Sequence, residues 1–332
     1  MANCNEHFEE YNGKIRLSDA RRKSLKGSRK ELRKKVRKWF DENKPNETKP
    51  KFSGQGSMSM DTIINPIPRK ITENGEEKKV LYYDVDDGIY FQGDKDPKDR
   101  ATPTTYHNWI YDAVKGHTDK DPIDKNTCIR TLFADGHNID QPIYYKKGET
   151  PELAHKRDGW IESDPKEFTD WFNDLAEKEP QLRRLVRYGK GWVDKREFEN
   201  NSKPMPSGLT LTILIAENAV YRKDRDDVAL KETLLAIQRK LNILFACKRP
   251  TTPKGENLLA DYGHKEYFMN CLANFIDDAT KALQERNIKK STELWRKHLS
   301  DRFPLGEDKD ETSNSSVGLG AIIPATTKPY AE

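Results

Sequence analysis

Cysteine is scarce and scattered in this 332-residue chain: there are four, Cys4, Cys128, Cys247 and Cys271. No CxxC pair or Cys/His cluster occurs among them. That excludes a zinc ribbon and a disulfide framework, and it fits a reducing cytoplasm. Long apolar runs are missing too. The most apolar stretch, Leu209 to Tyr221, is interrupted by Thr210, Thr212, Glu217 and Asn218. It falls short of the ~20 apolar residues a membrane span needs and reads as a buried core helix. The opening residues, Met1-Ala2-Asn3-Cys4-Asn5-Glu6, lack the basic-then-apolar order of a signal peptide. No internal repeat is visible. Hydrophobic and charged residues each make up 34% of the chain. This is a polar balance, but the length still permits one large or two modest domains with a core. The 13 Tyr, 12 Phe and 6 Trp exclude wholesale disorder.

The net charge of +4 is mild but unevenly placed. Lys14 to Lys38 holds 13 Lys and Arg against two acids, Asp19 and Glu31. Ser18 stands where it would cap a long helix. Leu25, Leu32, Val36, Trp39 and Phe40 then form an apolar stripe along it. The Lys and Arg on its other faces make either a solvated basic surface or one that binds phosphate or nucleic acid. Asn43-Lys44-Pro45-Asn46-Glu47 ends the helix.

A β-rich region follows. Lys79 to Asp84 and Ile89 to Phe91 read as short strands around Asp86-Asp87-Gly88, and Thr105 to Lys115 as a helix. Thr127 to Phe133 and Ile139 to Tyr145 read as a hairpin across Ala134-Asp135-Gly136-His137. From Asp164 onward the signals are helical. Asp164, Pro165 and Glu167 make a capping-box-like start, and further helices are predicted near Gln181–Lys195, Ser207–Tyr221, Asp226–Leu244, Lys265–Asn287 and Ser291–His298. The expected layout is α+β, with a β-containing lobe over residues 1–163, a helical lobe over 164–304, and a flexible tail over 305–332. A cleft between the lobes is a natural ligand site.

Three motifs carry chemistry. In Ser53-Gly54-Gln55-Gly56-Ser57 the glycines would let backbone N–H groups approach a phosphate, and Ser57 could bond one of its oxygens; alone, such a turn is usually only a loop. In Tyr83-Asp84-Val85-Asp86-Asp87-Gly88, Asp84 and Asp86 are two apart on a strand and project from one face. Two neighbouring carboxylates repel unless a cation lies between them, and Mg²⁺ takes carboxylate and phosphate oxygens together. The bland alternative is an acidic turn, with Asp87-Gly88 as ordinary turn chemistry. In Asn138-Ile139-Asp140-Gln141-Pro142-Ile143, Asp140 breaks an apolar strand and needs a partner. A metal shared with Asp84 and Asp86 supplies one; Pro142 suggests instead an edge-strand acid facing water. Together the three motifs describe a two-metal phosphoryl-transfer site.

On these stretches the sequence resembles the CD-NTase family, bacterial relatives of cyclic GMP–AMP synthase, and within it the dinucleotide-cyclase branch of vibrios. The resemblance is carried by Gln55-Gly56-Ser57 with Asp61-Thr62, by Asp84 to Gly88, by Ile139 to Pro142, by Trp160-Ile161-Glu162-Ser163-Asp164-Pro165-Lys166 running to Asp174, and by Leu182 to Arg187 with Lys190 and Trp192. It also takes in the first long helix, Leu17 to Phe40, and covers residues 10 to 300 with gaps. It implies a bilobal fold with a polymerase-β-like nucleotidyltransferase core, a helical C-terminal lobe and a long N-terminal spine helix.

The resemblance further implies two Mg²⁺, with Mn²⁺ as a substitute, held by the catalytic residues Asp84, Asp86 and Asp140. Gln55, Gly56 and Ser57 would hold the triphosphate. Arg130, Ser163, Asp164, Lys190 and Ser207 match further nucleotide-contacting positions. Plain alternatives stand beside each: a surface salt bridge for Arg130, helix capping for Asp164 and Ser207, and a solvated basic face for Arg184, Arg187 and Lys190. Met60 stands where the vibrio branch has an aromatic residue, and the turn between Arg130 and Asp140 is one residue shorter, which leaves base choice open.

The expected function is synthesis of a cyclic di- or trinucleotide from ATP, GTP or both in anti-phage signalling, with room for a regulatory protein partner and no membrane. A template-independent nucleotidyltransferase acting on RNA ends, favoured by the basic helix, and a catalytically silent nucleic-acid-binding module remain the alternatives.

Overall fold

The computed structural model describes residues 2–73, 75–200 and 202–311. The predicted long helix is present, but another precedes it. α1 (Asn5–Ile15) and α2 (Asp19–Asn43) meet at Arg16–Ser18. Ser18 caps α2 as expected, its side chain accepting from the Arg21 N–H. Leu25, Leu32, Val36 and Phe40 of α2 are fully buried, each contributing ~1.5–3 kcal/mol through burial of apolar surface.

Next come β1 (Lys51–Gly54), the single turn α3 (Gly56–Ser59), the hairpin β2 (Arg69–Glu73) and β3 (Glu76–Val80), and β4 (Asp84–Gln92). The sequence reading placed a turn at Asp86-Asp87-Gly88. The structure corrects this: β4 runs unbroken through all three residues, because Asp86 pairs with Asp140 of β7 (Asn138–Lys146) while Asp87 and Gly88 pair with Gly54 and Ser53 of β1. α4 (Pro103–Val114), β5 (Ile123–Asp124) and β6 (Cys128–Leu132) lie between β4 and β7.

The sheet runs β1-β4-β7-β6-β5, with β8 (Glu152–His155) and β9 (Gly159–Glu162) extending from β7. β4 and β7 are parallel and central, while β6 and β7 form the predicted antiparallel hairpin. Pro142 therefore sits in an interior strand opposite Cys128, and the edge-strand reading of Asp140 is overturned. Side chains alternate along the central pair. Val85, Ile89 and Phe91 of β4 and Ile139, Ile143 and Tyr145 of β7 pack with α2 and α4 into one core. Asp84 and Asp86 of β4 and Asp140 of β7 fall on the opposite face.

The remaining helices are α5 (Pro165–Lys178), α6 (Gln181–Glu199), α7 (Gly208–Asn218), α8 (Asp226–Ile243), α9 (Lys265–Gln284) and α10 (Ile288–Leu299). They form a second core that also contains Phe8, Tyr11 and Ile15 of α1. Phe8 meets Tyr188, Trp295 and Phe303 edge-on at 4.9–5.1 Å between ring centroids. The expected lobe 1–163 is thus corrected at its start: α1 packs with the helical lobe, because its Phe and Tyr face those rings rather than the sheet. The expected tail needs revision as well. Through Glu311 the chain is docked on α10, with Ile288 N–H donating to Lys309 O and Glu311 N–H to Arg286 O; the rest of the predicted tail lies outside the described residues. Among the described residues no helix is long and apolar enough to cross a membrane.

Part of the basic face of α2 is spent internally. Arg33 and Arg29 answer the fully buried Asp87. Arg22 binds Asp61, Arg21 binds Asp135, and Lys35 donates to the Lys115 carbonyl.

Candidate active site

A cavity of about 400 Å³ opens between the carboxylate face of the sheet and the helices. It is lined by Gln55, Gly56, Ser57, Asp84, Asp86, Asp140 and Lys190, together with Met60, Phe168, the α7 N-terminus and Arg249. Sheet register builds its floor: Asp86 lies directly beside Asp140, and Asp84 beside Asn138, across the parallel β4–β7 ladder.

The three carboxylates have different surroundings. Asp140 is gripped by Arg130 through two bonds of 2.7 Å and lies 3.3 Å from the Lys125 Nζ. Asp84 accepts from Asn138 at 3.1 Å and pairs with Arg130 at 3.0 Å. Asp86 has no side-chain hydrogen bond among the described residues. Burial, then repulsion from Asp140 and Asp84, pushes its pKa up to about 7 against the pull of Lys190 and Arg130.

Gly56 completes the floor. Its φ of +64° is a left-handed conformation, and a Cβ there would overlap the Asp86 carboxylate. Its neighbour Gln55 lines the cavity, but its side chain points to other partners: the amide donates to Tyr90 at 2.6 Å and accepts from Tyr144 at 3.5 Å. Gly88 lets that amide pass, since a Cβ there would overlap it.

Lys190 donates to Thr62 at 3.1 Å. Burial lowers its pKa to about 8, opposed by Asp86. The alternative of a solvated basic face for Arg184, Arg187 and Lys190 does not hold. Arg184 binds the buried Asp226, and Arg187 donates to Asn12 and to the Asp61 carbonyl. Asp61 itself adopts a φ of +52° beneath Arg16, Arg22 and Arg187.

Four expected nucleotide-contacting residues lie outside the cavity lining. Arg130 is held in the carboxylate cluster rather than at the surface. Ser163 is buried, its N–H donating to Pro151 O. Asp164 caps α5 through the N–H groups of Lys166 and Glu167 and borders a neighbouring cavity of about 220 Å³ with Phe52, Tyr90 and Lys166. Glu167 does not complete a capping box; it accepts from the Thr252 N–H at 2.9 Å. Ser207 is the plain cap of α7, accepting from the Thr210 N–H.

Lys125, Asn138 and Arg249 are site neighbours that motif reading passed over. Lys125 and Arg249 lie in loops without periodicity, so no local pattern points to them.

Among the described residues no group of three or more His, Cys, Asp or Glu side chains is gathered as a metal cage, since Arg130 and Lys125 draw Asp140 to themselves. The donor chemistry still fits a hard divalent cation. Three carboxylates converge, and Asp86 is buried among like charges with no hydrogen-bonding partner.

A mixed sheet whose parallel central strands carry three carboxylates opposite a Gly-Ser turn fits a nucleotidyltransferase domain. Residues 50–144 match the family described as cyclic GMP-AMP synthase DncV-like, nucleotidyltransferase domain. Beyond that domain the likeness extends through relatives named as cyclic GMP-AMP synthases. The chain is 28% identical over 283 residues to a cyclic GMP-AMP synthase of Escherichia albertii, covering 82% of this chain and 59% of that protein. It is 25% identical over 248 residues to the Vibrio cholerae enzyme of the same name, covering 59% and 53%. The chain thus matches less than two thirds of either relative's length. The crystal structure of Vibrio cholerae DncV cyclic AMP-GMP synthase with nonhydrolyzable GTP superimposes with a TM-score of 0.74 at 18% identity, covering 91% of this chain and 97% of that one. Its complex with the linear intermediate 5′-pppA(3′,5′)pG gives 0.73 at 20% identity and the same coverage. These two likenesses establish the shared fold.

Proposed function

We propose that this protein joins nucleoside triphosphates without a template and closes the product into a small cyclic oligonucleotide, with ATP, GTP or both as substrates. The observation that carries the reading is the cavity itself: Asp84, Asp86 and Asp140 face the Gly56-Ser57 turn and Lys190 across one space. The relatives named as cyclic GMP-AMP synthases support the product class.

In each transfer a ribose hydroxyl attacks the α-phosphorus of a triphosphate. A new P–O bond forms, the bond to the β-phosphate oxygen breaks, and pyrophosphate leaves. Asp84, Asp86 and Asp140 would hold two Mg²⁺, or Mn²⁺ in their place, which supply charge neutralisation and a lowered hydroxyl pKa when bound. Gly56 and Ser57 lie where backbone and hydroxyl donors meet phosphate oxygens, and Lys190 supplies positive charge from the opposite wall. Holding both reactants in line is the protein's main contribution.

The setting we assign, anti-phage signalling in the cytoplasm, rests on the family resemblance. The RNA-end polymerase reading loses support because Arg21, Arg22, Arg29 and Arg33 are engaged within the fold.

The test is incubation of the purified protein with four labelled NTPs and Mg²⁺, phosphatase treatment and mass spectrometry. A phosphatase-resistant cyclic product is expected, and it is lost in Asp84→Ala. A linear, primer-dependent product would decide for the polymerase instead.

A further inference from the structure

Arg249 is the cavity-lining cation that no motif announced. It sits in the loop between α8 and α9, and that loop is firmly tied. Its N–H donates to Glu256 O at 2.8 Å, and its carbonyl accepts from the Gly255 N–H at 2.9 Å. Lys248 and Asn257 close the loop with an antiparallel bridge. Thr252 anchors it to the start of α5, its N–H donating to Glu167 Oε2 and its carbonyl accepting from Asp164 N–H. The Arg249 backbone is therefore fixed relative to the cavity.

The side chain is held at one end only. Nη1 donates to Glu256 Oε2 at 3.1 Å, whereas Nε is buried with no hydrogen-bond partner among the described residues. A buried donor left unsatisfied is costly, and an anion entering the cavity would relieve that cost.

Charge gives that partner its sign. Arg130 and Lys125 are committed to Asp84 and Asp140. Among the described residues lining the cavity, Lys190 and Arg249 are left to meet added negative charge. The Arg249 charge also reaches the hydroxyl of Tyr144, which donates to Gln55, the residue before Gly56.

We propose that Arg249 is a substrate-contacting residue that grips the phosphates of the bound nucleoside triphosphate. It closes the anion site from the loop between α8 and α9. The proposal rests on the nucleotidyltransferase reading above. A guanidinium tethered at Nη1 presents its remaining edge in the geometry that bonds two phosphate oxygens at once.

Calorimetric titration of the full chain with nonhydrolysable ATP and GTP analogues and with inorganic tripolyphosphate tests it. Wild type should bind a nucleotide analogue and tripolyphosphate. R249A should weaken both about 10- to 100-fold, as expected for loss of charge-assisted bonds, with the ligand-free melting temperature unchanged. R249K, which keeps the charge without the fork, should weaken both about tenfold, and it carries the same test should R249A fail to fold. Wild-type affinity in these variants would overturn the proposal, as would weakening for nucleotide but not for tripolyphosphate. If wild type itself binds none of the ligands, the nucleotidyltransferase reading falls with it, which is a distinct result.

Discussion

Asp86 stands directly beside Asp140 across a parallel strand pair, and Arg130 answers only one of the two. Asp140 receives both arms of the guanidinium, while burial and its carboxylate neighbours push the Asp86 pKa up to about 7. Such an arrangement is unfavourable for the ligand-free protein and suits a site built to receive cations.

Asp86→Asn should therefore remove activity and raise stability together. Relief of the repulsion is expected to add about 1 kcal/mol to ligand-free unfolding at pH 8. Paired melting curves and product assays would show it. A lower melting temperature in the variant would mean that the carboxylate is structurally required.

Asp87, one residue on, faces the other side of the sheet, where Arg33 and Arg29 meet it. Burial pushes its pKa up and the guanidiniums pull it back. Arg33→Ala strands a buried charge and should cost ~3–5 kcal/mol, read as a fall in the denaturant midpoint. A loss below ~1 kcal/mol would show that Arg29 alone suffices as partner.

His298 stacks on Phe275 at 4.5 Å and reaches Asp278 at 3.0 Å. Burial lowers its pKa from 6.5 to about 4; Asp278 opposes this shift, whereas Arg196 and Lys297 reinforce it. A folded pKa below the unfolded one means that the unfolded chain binds the extra proton between those values. Stability is therefore fully present above pH ~6.5 and falls as pH drops through ~4, by on the order of 2 kcal/mol. Unfolding free energies from pH 7.5 to 4 should show this slope in wild type and a flatter one in His298→Gln. Equal slopes would assign the effect to other groups.

The helices from Asp164 onward were legible because caps and 3.6-residue spacing are local signals; Ser18, Asp164 and Ser207 cap as read. The convergence of Asp84, Asp86 and Asp140 was legible from period-two alternation. α1 was not, because Phe8, Tyr11 and Ile15 sit among acids and amides, and their partners lie far along the chain. Asp87 looked like a turn acid because its arginine partners come from α2, about fifty residues earlier. Gln55 could not be read as a strut for Tyr90 and Tyr144 before the strands were in register. Arg249 owes its place to loop closure, which leaves no periodic trace.

The position of α1 also bears on how the chain folds as it is made. Cys4, just ahead of α1, meets Ser291, 287 residues on, and Phe8 packs on Trp295 and Phe303. The sheet can form while α1 has nowhere to dock, because the rings that receive it follow the sheet in the chain. Residues 2–15 thus act as the closing piece of co-translational assembly, and a nascent chain stopped before α10 would hold Phe8, Tyr11 and Ile15 uncovered.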